Sequence, residues 1–187
     1  MSRFLIPAAV FVALLQSAVL FHVVASRAAV LRDGTEIRLE TAPVDPRDLL
    51  RGDYVTLNYT IGRVMSASIV GPWPAERGRH TIYVRLVPGA GGFWSVSEAS
   101  FQPLAAQEGS VVLKGIAGRV GSRPPGGFIL ASYGIERYYV PEGEGKAIEN
   151  ARNDGRISVA ARVSKDGVAR IRALLQDGEP LYEEPLY

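Results

Sequence analysis

The chain has 187 residues, 47% apolar and 21% charged, which excludes a disordered chain and leaves room for one cored domain plus one accessory segment. Its net charge of +2 is unevenly spread: Arg3, Arg27 and Arg32 precede every carboxylate, so residues 33–187 hold 18 basic against all 19 acidic residues. A near-neutral body lacks the basic face that nucleic-acid binding needs, and no cysteine is present to form disulfides, thiolate sites, Cys-bearing zinc sites or a lipid-modified anchor.

Residues 4–24, FLIPAAVFVALLQSAVLFHVV, carry no formal charge and only Gln16, Ser17 and His22 as polar groups. At about 1.5 Å per residue a helix of this length spans a bilayer core of about 30 Å. A cleavable signal peptide has a shorter apolar stretch, of about 7–15 residues. Ala25 and its small neighbours offer a cleavage site, but the uninterrupted length favours an uncleaved anchor. His22 lies near the far interface, where a polar tip reaches water. The expected organisation is a transmembrane anchor over residues 1–32, with the bilayer contacted by 4–24, and a body over 33–187 on the far side of the membrane.

The body reads as short strands. TEIRLET (35–41) alternates Ile37 and Leu39 against charged neighbours. Residues 42–50 hold two prolines and two aspartates and form a loop. DYVTLNYTI (53–61) places Val55, Leu57, Tyr59 and Ile61 on one face, with Tyr54, Thr56, Asn58 and Thr60 on the other. Further strands are predicted over 80–88, 93–101 and 110–120. Residues 128–140 are strand-like with a break at Gly134, so that Glu136, Tyr138 and Val140 share one side, and Ile135, Arg137 and Tyr139 the other. Residues 141–154 form a short helix. The Lys165-Asp166-Gly167 turn joins 156–164 to 168–178 as a hairpin, burying Ile157, Val159, Ala161 and Val163 against Val168, Ile171 and Leu174. The pattern predicts a mainly β, antiparallel sandwich or barrel-like fold with one short helix, preceded by a single N-terminal transmembrane helix.

Two polar clusters carry the candidate chemistry. Arg51-Gly52-Asp53 follows an apolar pair and runs straight into a strand, which suits a turn more than an exposed integrin-type ligand. Gly52 supplies a backbone angle and Asp53 caps the turn. Arg51 has Asp45, Asp48 and Asp53 within reach as partners. The second cluster, 133–149, contains Tyr133, Glu136, Arg137, Tyr138, Tyr139 and Glu142. Asp53 with Glu136 or Glu142 would make a carboxylate pair suited to acid/base or glycosidic chemistry, while carboxylates beside Arg and Tyr also form structural networks. His80 is the only histidine of the body, and Ser95, Ser97 and Ser100 lack a nucleophile-elbow context. No metal-ligand spacing and no phosphate-cradling loop stands out, so no metal or cofactor is expected.

Gly52-Asp53-Tyr54-x-x-Leu57-x-Tyr59 matches the motif after which the bacterial GDYXXLXY family is named, and the block from Tyr133 to Glu142 is similar to that family's other characteristic segment. The resemblance covers most of the chain. It implies a small membrane-anchored bacterial protein, often beside multi-pass membrane proteins, and it implies no activity; with the N-terminal anchor, the expected place is the bacterial inner membrane, single-pass, with the body in the periplasm. The sequence expectation is thus a binding or accessory domain with a multi-pass membrane protein as partner. Its candidate polar network is Arg51, Gly52, Asp53, Tyr54, Tyr59, Glu136, Arg137, Tyr138 and Glu142. Partner recognition is expected on the Tyr54/Thr56/Asn58 face or near Tyr138 and Tyr139. The competing expectation is an envelope hydrolase using Asp53 with Glu136 or Glu142, and Arg51 or Arg137 holding an anionic substrate.

Overall fold

The computed structural model describes residues 5–43, 54–121 and 126–185. Helix α1 (Leu5–Asp33) leads into β1 (Thr35–Ala42), β2 (Tyr54–Thr56), β3 (Asn58–Tyr59), β4 (Arg63–Met65), β5 (Ile69–Val70) and β6 (Gly78–Pro88). Then come β7 (Trp94–Ser100), β8 (Val111–Val120), β9 (Phe128–Ser132), β10 (Arg137–Tyr139), α2 (Gly145–Asn153), β11 (Ile157–Val163), β12 (Ala169–Gln176) and β13 (Glu179–Glu183). Two sheets, in the orders β13-β12-β11-β1-β3 and β4-β9-β8-β6-β7-β5, are joined at a corner by the two-stranded β10–β2 ladder. Every pairing is antiparallel except β5 with β7. The body is mainly β and barrel-like, nearly closed around one core in which Ile37, Leu39, Leu57, Ile82, Leu113 and Leu174 are sealed from solvent.

The alternation read from the sequence holds where a strand has one wet face. β1 buries Ile37, Leu39 and Thr41, and β8 buries Val111, Leu113 and Ala117. It fails as a guide to pairing in residues 53–61. Val55, Leu57, Tyr59 and Ile61 all point inward as predicted, yet the segment is not one strand. β2 pairs with β10, β3 pairs with β1, and after a 3₁₀ turn at Thr60–Gly62, β4 pairs with β9. The chain walks round the barrel corner, changing partner every few residues while keeping one face inside.

Two other expectations need correction, and one strand lies beyond those predicted. Ile135 is buried while Arg137 and Tyr139 are exposed, because a turn at 133–136 separates β9 from β10 and resets the alternation. Val168 is 40% exposed and Ala169 takes the inward place; a bulge opposite Ala160 and Ala161 then brings both Ile171 and Leu174 inward. The chain also does not end its sheet at β12. Asp177 and Gly178, with φ of 52° and 95°, form a tight turn that returns β13.

Helix α1 has 29 residues, roughly 43 Å of helix, and extends well past the apolar run. Its first part stands clear of the body, with Leu20 and Phe21 68% and 75% exposed. Among the described residues it is the one helix long and apolar enough to cross a membrane. Its last turns become amphipathic, burying Ala28 and Leu31 against β11 and β12. Gly34 closes the joint: its N–H donates to Val30 O at 3.0 Å, and its carbonyl accepts from Arg162 at 3.1 Å.

Candidate functional site

The strand segment that follows the first cluster and the start of the second cluster meet at the barrel corner. Residues 54–62 run along one side and 133–139 along the other, tied by a reciprocal set of bonds. The Tyr59 hydroxyl donates to Ile135 O at 2.6 Å, and the Tyr133 hydroxyl donates to Ile61 O at 2.8 Å. Between them Leu57 N–H donates to Glu136 O at 2.9 Å, and the β2–β10 ladder pairs Val55 with Tyr138. Gly115 of β8 leaves room for the Tyr133 ring, since a Cβ there would lie 2.8 Å from it and 2.7 Å from Ser132 O.

Glu136 shapes the turn. One carboxylate oxygen accepts from Tyr133 N–H and the other from Gly134 N–H at 2.9 Å. Burial, reinforced by the nearby Glu136 charge, raises the pKa values of Tyr59 and Tyr133 well above the ordinary phenol value, so both stay neutral donors. Tyr138 is also buried. Its pKa is pushed up to about 12, first by burial, then by the charge of Glu184 and a hydrogen bond to it. The Tyr138 ring lies 6.3 Å from that of Tyr182 on β13. The expectation that Tyr138 offers an aromatic surface is therefore corrected: it faces inward, and Tyr139, 72% exposed, faces out.

The outward side of the same ladder carries a second arrangement. Tyr54 and Tyr139 are cross-strand partners with ring centroids 5.9 Å apart, and the Arg137 guanidinium sits 5.4 Å from the Tyr54 ring. This exposed cation–aromatic cluster rests on a rigid corner. Glu142 is exposed beyond the end of β10, and no bond joins it to Glu136. Arg51, Gly52 and Asp53, with Asp45 and Asp48, lie outside the described residues, so the carboxylate pairs involving Asp53 lie there too. His80 is occupied locally, its Nε2 lying 2.9 Å from Glu76 O.

A model described as GDYXXLXY protein matches residues 16–174. The chain belongs to the GDYXXLXY family. It matches no curated protein and no solved structure. The described residues of the family motif divide their tasks: Leu57 and Tyr59 bond inward to the 133–139 segment, whereas Tyr54 joins the outward cluster.

Sequence reasoning missed Arg152, which is 1% exposed and donates to Thr56 O from α2, tying the helix to β2. Its own Asn153 accepts at 3.1 Å, Glu149 lies at 4.0 Å, and burial lowers the guanidinium's pKa. A signal was present: Ile148, Ala151 and Arg152 share the apolar side of α2 at helical spacing, a place where an arginine is buried and needs acceptors. Arg85 is a second case, its fork filled by Glu98, Ser110 and Ala105 O at 2.6–2.9 Å.

Proposed function

We propose that this GDYXXLXY protein is a membrane-tethered accessory domain of the bacterial envelope, which binds a multi-pass membrane protein through the Tyr54–Arg137–Tyr139 cluster. In this reading α1 crosses the inner membrane as an uncleaved signal-anchor and the body lies in the periplasm. The observation that carries it is the position of the cluster: Arg137 and Tyr139 share one cleft with Arg27 and Leu31 of α1. A partner embedded in the same bilayer therefore meets an exposed tyrosine and an arginine held on a rigid ladder, the side chains that interfaces favour. The hydrolase reading has less support, because both oxygens of Glu136 are taken up by the turn they cap.

The test is affinity purification of the tagged full chain from detergent-solubilised membranes, with the partner identified by mass. The wild type should retain a multi-pass protein, and the Arg137→Ala/Tyr139→Ala variant should lose it at unchanged melting temperature. Retention by the variant removes the cluster from the interface, and absence of any wild-type partner removes the accessory role.

A further inference from the structure

One cleft at the end of the body nearest the free part of α1 holds three arginines against one carboxylate. Arg27, on α1, and Arg170, on β12, line the same cleft of about 260 Å³, with Arg137 at its rim and Leu31 and Ile171 as apolar wall. Neither Arg27 nor Arg170 forms an ion pair among the described residues, and the buried Nε of Arg170 has no hydrogen-bond partner. The carboxylate at this cleft, Glu184, is hydrogen-bonded to Tyr138. Two like charges thus face one space, and desolvation together with the Arg27 charge lowers the pKa of Arg170. A second hollow of about 630 Å³ lies along α1, lined by Ser26, Ala29, Asp33, Arg170 and the hairpin tip with Lys165, Asp166 and the exposed Val168, so its charges balance.

Depth decides which anion fits. The uncharged run ends at residue 24, so Arg27 sits about 4.5 Å further along the helix axis, within the headgroup layer of a bilayer whose core is about 30 Å and whose full thickness is about 40–45 Å. The cleft opens beside α1 at that level, with Tyr139 exposed at its edge, as interfacial tyrosines are. We propose that the cleft between α1, β10 and β12 binds the phosphate headgroup of an anionic phospholipid, Arg27 and Arg170 clamping the phosphate at the membrane side of the apolar wall formed by Leu31 and Ile171. An arginine fork matches phosphate oxygens in shape as well as charge. This assignment rests on α1 crossing the bilayer but not on any protein partner.

The test uses the full chain in nanodiscs of phosphatidylcholine, with or without phosphatidylglycerol, and follows unfolding of the body by the fluorescence of Trp73 and Trp94. Phosphatidylglycerol should raise the melting temperature by about 4–8 °C, given the usual attraction of two surface arginines for anionic lipid. The Arg27→Gln/Arg170→Gln variant, relieved of its internal repulsion, should fold in phosphatidylcholine and lose the response. An Arg79→Gln variant, far along the chain on β6, should keep it. Equal melting of the wild type in both lipids, a response that survives the double substitution, or a shift reproduced by inorganic phosphate in phosphatidylcholine discs overturns the assignment. Failure of the full chain to enter discs at all removes the membrane reading along with it.

Discussion

Tyr59 and Tyr133 each give a hydroxyl proton to a carbonyl on the opposite side of the barrel corner, and each is sealed from water. Removing either oxygen leaves a buried carbonyl without its donor, which costs about 1–3 kcal/mol, more than the net worth of an ordinary hydrogen bond. Tyr59→Phe and Tyr133→Phe should therefore each lower the unfolding free energy of the full chain in mild detergent, read from guanidinium titrations, by that amount, with near-normal ring packing. Values near zero for both would show that the reciprocal bonds hold nothing together. Glu136 works differently. It bonds backbone N–H groups of its own turn, and so fixes the approach of the 133–136 segment rather than linking the two sides. Arg152 combines both tasks, bonding β2 from α2 while filling core volume.

The element with the least tolerance is the joint between α1 and the sheet. A Cβ built on Gly34 would lie 2.4 Å from Val30 O and 3.0 Å from both N and O of Val163. These are backbone atoms of a helix end and a paired strand, so neither can yield cheaply. Gly34→Ala should leave the β-sheet circular dichroism of the body intact but loosen the last turn of α1, and trypsin should cut after the exposed Arg32 several times faster than in the wild type. An unchanged cleavage rate would mean that the joint absorbs the methyl group. The β12–β13 hairpin is the converse case. It is an edge element held by a two-residue turn and by exposed pairs such as Arg172 with Glu183 at 3.2 Å, which contribute little.

At the scale of the whole molecule, the three buried phenols fasten different parts of one shell. Tyr59 and Tyr133 hold the corner, and Tyr138 touches β13 through Tyr182 and the segment after it through Glu184. The folded pKa of Tyr138, about 12, lies above the phenol value of about 10 that the unfolded chain has. The unfolded chain therefore releases its protons first as pH rises. The stabilising effect of the neutral phenols is complete below pH ~10 and is lost as pH climbs from ~10 through ~12, with Tyr59 and Tyr133 acting in the same direction. Urea titrations at successive pH values should show a flat midpoint up to pH ~10 and a steep fall beyond it, less steep in Tyr138→Phe. A midpoint that already falls between pH 8 and 9 would contradict this assignment.

By itself the sequence determined the greasy N-terminal helix, the β class of the body, most inward faces and the family, because each follows from local periodicity or from a contiguous motif. Uncharged length marks α1, and the inward positions Val55, Leu57, Tyr59 and Ile61 follow from alternation alone. Only the tertiary structure decided which strands pair, and hence that the 54–59 and 133–139 segments face each other, because alternation is blind to the partner across a ladder. It also decided that Tyr138 turns in while Tyr139 turns out, that Arg152 is buried, and that Arg27 and Arg170 share a cleft. The inward turn of Tyr138 and the shared cleft of Arg27 and Arg170 depend on contacts between residues far apart in the chain, and the energy of such contacts leaves no mark in any short window of sequence.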